Sequence, residues 1–185
     1  MLIYLAYAMA GTDMTEPPEV GDFRRFANSL GHVTFSPCFH NPLPERPMCR
    51  PGPWPAIEDP LWDWLDAHGG KDAIRKPNFW YRSRALSPLA LEHIKHDGKP
   101  IGLRYHEIVD LDLNLMEMAE MVVINLRPSR AGVPQEQLYA WSHDKRVLLV
   151  RHEPDYEPSF WSLAHANAIF ESYTHLMISG EIKSA

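Results

Sequence analysis

The pattern of apolar and polar positions divides this chain into short buried runs separated by amphipathic stretches. Leu2–Ala6 is an uninterrupted apolar run ended by small residues, and it predicts a buried first strand. Residues 7–21 read as a loop punctuated by Pro17, Pro18 and Gly21. Asp22 then opens a short helix through FRRFANSL, which Gly31 ends, and His32–Phe35 gives a second brief strand. After Gly102 apolar residues recur at Ile108, Leu111, Leu115 and Met118, the spacing of a helix that runs to about Glu120. MVVINL at 121–126 is a third strand. Pro134 starts a helix through QEQLYAWSHD, VLLV at 147–150 is a fourth strand, and FWSLAHANAIFESY is helical before a fifth strand, HLMI at 175–178. Strands alternating with helices predict an α/β fold whose parallel sheet is covered on both faces.

One segment breaks this rhythm. Residues 37–80 hold nine of the seventeen prolines and four of the six tryptophans, with one plausible short helix at about Leu61–His68. It is too aromatic for a disordered linker. A long irregular insert of this kind is a lid or pocket wall, or else a packing or oligomer contact. Beyond it, Ser87-Pro88 is a good N-cap and first-turn pair for a helix LALEHIKHD that stops at Gly98. The 185 residues are read as a single domain, 1–185, with the insert inside it.

Composition narrows the classes of function. The formal charge of −6 argues against a protein that lives on a nucleic-acid backbone, but not against a small phosphate-bearing ligand. No apolar run reaches the length of a membrane span. The opening MLIYLAYAMAGTD lacks a basic leader region, so it reads as a strand rather than a signal peptide, and a cytoplasmic protein is expected. Cys38 and Cys49 make no disulfide framework.

Two carboxylates stand out. Glu136 falls in the opening turn of a helix, after a loop containing Gly132, where free N–H groups and the helix dipole favour negative charge. That loop follows the third strand's C-terminal end, where open α/β sheets place ligands. Glu136 is also simply a good first-turn residue. Asp112 lies on the flank of its helix's buried stripe, with Asp110 and Glu117 on the outer face. A carboxylate on that flank takes a ligand or an edge salt bridge. Arg130 in the loop is placed to meet a phosphate or carboxylate, or is solvated, and Tyr4 is a core position whose hydroxyl needs a partner. His93 and His96 lack further metal ligands, Cys38, His40 and Cys49 lack finger-like spacing, and Ser142-His143-Asp144 are mere sequence neighbours. No metal site is expected. There is no Walker loop and no GxGxxG.

In four places the chain resembles the nucleoside 2-deoxyribosyltransferase family and its relatives that hydrolyse the N-glycosidic bond of nucleoside 5′-monophosphates. IYLAYAM at 3–9 is similar to the family's opening strand, DLNLMEMAEMVVINL at 112–126 to its Asp-Leu helix and central strand, GVPQEQLYA at 132–140 to its Gly-x-x-x-Glu-x-Gly-Tyr-Ala, and NAIF at 167–170 to a segment that reaches a neighbouring subunit. The resemblance covers residues 2–9 and 105–180, the first helix loosely, and the Pro/Trp-rich insert not at all. It implies a flavodoxin-like three-layer αβα fold with a five-stranded parallel sheet in the order 2-1-3-4-5. It also implies Glu136 as nucleophile, Tyr4 as its hydrogen-bond donor, and Asp112 as the group that contacts base or sugar and assists proton transfer. Tyr7, Met9, Arg130, Gly132 and Asn167 fall on substrate-binding positions. The implied substrate is a nucleoside or nucleotide, with no metal or organic cofactor and a homodimer or higher homo-oligomer as the working form. Three departures are visible. The family's small Gly-Pro after the first strand is Tyr7-Ala8, a commonly Asp or Ser position six before the nucleophile is Arg130, and a Gly is Leu138. Arginine at that position points to a charged 5′ end.

Overall fold

The computed structural model describes residues 1–7, 16–36, 60–73, 95–96, 99–100, 102–127, 132–151, 153 and 155–184. Five strands make its main sheet: β1 (Leu2–Ala6), β2 (Val33–Phe35), β3 (Met121–Leu126), β4 (Arg146–Arg151) and β5 (Ala168–Phe170). The order is β2-β1-β3-β4-β5 and every pairing is parallel, with Tyr4 beside Val122 and Phe35, Val123 beside Leu148, and Val150 beside Phe170. The fold is therefore the flavodoxin-like α/β architecture, with the order reversing between β1 and β3.

The sheet's period of two sorts its residues into two cores. On one face Leu2, Tyr4 and Ala6 join Val122, Ile124 and Leu126. They pack against α2 (Pro60–Ala67), α4 (Gly102–Met118) and α5 (Gly132–Ser142) through Leu61, Leu65, Leu115, Met116 and Tyr139. On the other face Ile3, Leu5 and Tyr7 join Val123 and Val150. They meet α1 (Pro18–Ser29) and α7 (Tyr173–Ile178) through Val20, Phe23, Tyr173 and Leu176. The completely buried strands explain why they read as continuous apolar runs rather than alternating ones.

Several boundaries differ from expectation for identifiable reasons. The fifth strand is Ala168–Phe170, and residues 175–178 end helix α7, whose first turn is capped by Ser172 accepting from the His175 N–H. The helix expected over FWSLAHANAIFESY is only α6 (Phe160–Ala164), because the Asn167 N–H and side-chain oxygen are both taken by Val147, pulling the chain into the sheet. Helix α1 begins at Pro18, since proline suits a first turn, and α5 begins at Gly132, two residues before Pro134. Lys95–His96 pairs antiparallel with Lys99–Pro100, so the expected helix does not extend there, and residues 87–94 lie outside the described residues.

The described part of the insert, α2 with α3 (Gly70–Ala73), is a packing element. Leu61 and Leu65 are fully buried in the core, and Asn114 of α4 donates to the Ala73 carbonyl. Helix α4 is thus tied to the insert, which itself packs on the sheet. This corrects one expectation: Asp110 is buried, not on an outer face, whereas Glu117 is exposed.

Candidate active site

In open sheets of this kind ligands bind in the crevice outside the strands' C-terminal ends where the order reverses, which in this chain is between β1 and β3. A buried tyrosine hydroxyl usually finds a hydrogen-bond partner. Tyr4 does so across the sheet, donating to Glu136 Oε1 at 3.2 Å. The ring is fixed by its strand and by Phe35, at 5.5 Å between centroids. Glu136 is half-buried in the second turn of α5. The arrangement holds one carboxylate in a defined position at the mouth of the sheet.

Helix α5 is tied on both sides. Tyr139, one turn after Glu136 and fully buried, donates to Glu117 of α4 and stacks on His143 at 4.0 Å. Gln137, also buried, donates to the carbonyls of Ser162 at 2.7 Å and His165 at 3.0 Å, which fastens α6. Neither residue was singled out by pattern. The signal for Tyr139 was present in its helical spacing from Glu136 and Val133, while a buried glutamine spent on carbonyls leaves no periodic trace. Asp112 is buried on α4, the helix that packs against α5.

The remaining expected residues are distributed differently. Tyr7 lies three residues from Tyr4 and so on the opposite face of the sheet, buried, with its hydroxyl 3.0 Å from Ser36 Oγ. Asn167 stands at the N-terminal edge of β4 and β5, where its side chain accepts from the Val147 N–H at 2.7 Å. Gly132 opens α5. Met9 and Arg130 lie outside the described residues, as do His93, Cys38, His40 and Cys49.

A polar network surrounds the switch point on the α1 face. Arg24 is buried and donates to Thr34 Oγ1 at 2.9 Å and Ser36 Oγ at 3.0 Å while pairing with Glu16. Arg127, one residue past β3, pairs with Glu19 at 3.2 Å. Tyr173 sits among these charges. Burial, then the Glu19 and Glu16 carboxylates, push its hydroxyl pKa far above the usual phenol value, so it stays neutral. A cavity of about 700 Å³ lies elsewhere, among Met1, His32, Glu120 and Arg146 at the N-terminal edge of the sheet, away from Glu136. Among the described residues no group of His, Cys, Asp and Glu is arranged to hold a metal ion, and no helix is long and apolar enough to cross a membrane.

No family model matches the chain, and no curated protein sequence matches it. Among solved structures it is similar to a 2-deoxyribosyltransferase from the psychrotolerant bacterium Bacillus psychrosaccharolyticus. The two are 13% identical over 100% of this chain and 99% of that one, with a TM-score of 0.49. At this identity the likeness is one of fold alone.

Proposed function

We propose that this protein cleaves or transfers at the N-glycosidic bond of a nucleoside, deoxynucleoside or nucleoside 5′-monophosphate, with Glu136 as nucleophile. The observation that carries the reading is the hydrogen bond from Tyr4 to Glu136, which ties a buried strand hydroxyl to a carboxylate at the crevice. A glycosidic bond breaks through an oxocarbenium-like transition state, and a fixed carboxylate below the anomeric carbon stabilises or captures that carbon. In this scheme the Glu136 carboxylate forms a bond to C1′ as the bond to the base nitrogen breaks. Asp112 supplies the proton or hydrogen bond that the departing base needs. Water then releases the sugar in a hydrolase, and a second base accepts it in a transferase. Arg130 would meet a charged 5′ end, with Tyr7, Met9 and Gly132 as further substrate-binding positions, whereas the Asn167 side chain is taken up at the opposite edge of the sheet. The chemistry calls for side chains alone, in a cytoplasmic homodimer or larger assembly.

The test is a panel of nucleosides and 5′-monophosphates incubated with and without an acceptor base, with free base followed by chromatography. Release is expected from at least one substrate, and Glu136→Ala abolishes it. Release from none of them sinks the enzyme reading and leaves a nucleotide-binding or interaction module of the same fold. Release that Glu136→Ala leaves unchanged sinks the mechanism.

A further inference from the structure

The cavity of about 700 Å³ lies at the N-terminal edge of the sheet, away from Glu136. Its volume falls within the range of small-molecule sites, about 300–1,000 Å³. One wall is the segment 180–184, and three consecutive residues hold that wall in place. Glu181 pairs with Arg146 at the start of β4, Ile182 is buried in the core, and the Lys183 carbonyl meets His32 Nε2 at 2.5 Å. The lining is therefore built before a ligand arrives, which lowers the cost of binding one.

The groups left unspent on this lining define what it can take. A carbonyl only accepts, so His32 Nε2 carries the proton of that bond, and in the neutral ring Nδ1 is then an acceptor. His32 is 5% exposed, and its Nδ1 has no partner among the described residues. Glu120 and Lys183 line the same cavity, both exposed, and neither has an ion-pair partner among the described residues. The cavity thus offers two acceptors and one cationic donor. With Arg146 and Glu181 offsetting each other, its charged side chains sum to zero. A nucleotide or a polyamine meets as much repulsion as attraction there, whereas a dipolar ligand gains at both ends.

We propose that this cavity binds a free α-amino acid as its zwitterion. The ammonium lies between Glu120 and His32 Nδ1, and the carboxylate meets the Lys183 ammonium. An ammonium has donors enough for both acceptors, and an ionised carboxylate only accepts, as the lysine requires. Met1 supplies apolar surface for the ligand's side chain. The site stands apart from Glu136 and takes its ligand whatever Glu136 does.

Isothermal titration calorimetry of the full chain with the standard amino acids tests this. At least one binds with a Kd of about 1 mM or tighter. Its N-acetyl derivative and its methyl ester each lack one of the two charges, and each binds about tenfold more weakly for want of one charge-assisted bond. Glu120→Gln and Lys183→Met weaken binding by about the same factor, with circular dichroism unchanged because both side chains are exposed. Glu136→Ala binds as the wild type does. Absence of binding by every amino acid at about 10 mM overturns the proposal. So does a blocked derivative that binds as well as its parent, binding that survives both lining substitutions, or tighter binding of inorganic phosphate or spermidine. Binding that Glu136→Ala abolishes puts the ligand in the crevice and overturns it equally.

Discussion

Replacing Tyr4 with phenylalanine removes one oxygen and keeps the shape of the side chain. The ring remains buried in its strand and against Phe35, so no cavity forms. What is lost is the hydroxyl that donates to Glu136 Oε1 at 3.2 Å. Hydrogen bonds to charged groups contribute about 1.5–3 kcal/mol, but short O–H···O⁻ contacts are about 2.5–2.7 Å, so the observed bond belongs at the lower end of that range. A loss of about 1.5 kcal/mol in transition-state stabilisation is about tenfold in rate. The expected result for Tyr4→Phe is therefore a kcat about tenfold lower, with KM changed less than about threefold, since the bond positions the nucleophile rather than the substrate. Stability should fall by about 1 kcal/mol or less, a few degrees in Tm for a chain of this size. Stopped-flow or chromatographic base release together with a thermal melt measures all three. A kcat within twofold of wild type, at unchanged Tm, refutes the argument that this bond holds Glu136 for reaction.

Two further substitutions test the physical reading of the scaffold. The Tyr173 hydroxyl is buried without a hydrogen-bond partner among the described residues, so Tyr173→Phe should hold or raise Tm at neutral pH. Its pKa is raised on folding, so its neutral form is favoured in the native state. That contribution is complete below the unfolded phenol pKa of about 10 and is lost above it. Wild type should therefore lose stability more steeply than Tyr173→Phe above about pH 10 in denaturant titrations, and parallel curves would contradict this. Asp144 ends α5 with a left-handed backbone, φ 55°, a conformation that costs a non-glycine residue about 1 kcal/mol or more, so Asp144→Gly should stabilise by about 1 kcal/mol in urea unfolding, and a decrease would count against it.

Much of the scaffold was legible because burial leaves a simple signature. Strand β1 and the centres of β3 and β4 are runs of buried apolar residues, as a parallel sheet with helices on both faces favours. The fifth strand was misplaced because AIF and HLMI are equally short apolar runs, which periodicity cannot separate. A local cap on Ser172 and the engagement of Asn167 by Val147 decided between them, and the second is a tertiary event. The burial of Asp110 was equally hidden, since helical spacing placed it on the outer face. At the site, pattern alone left Glu136 an ordinary first-turn residue. Its link to Tyr4 spans 132 positions, and that link came from resemblance, not from spacing. The opposite facing of Tyr4 and Tyr7, by contrast, is a direct consequence of the strand's period of two.

The central claim is that Glu136 attacks an anomeric carbon, and the most direct measurement is mass spectrometry of the protein quenched during turnover of a substrate that releases its base. The account predicts an intact mass increased by one glycosyl group, carried on the peptide containing Glu136 and absent in Glu136→Gln. An adduct on another residue, or base release at full rate by Glu136→Gln, would contradict it.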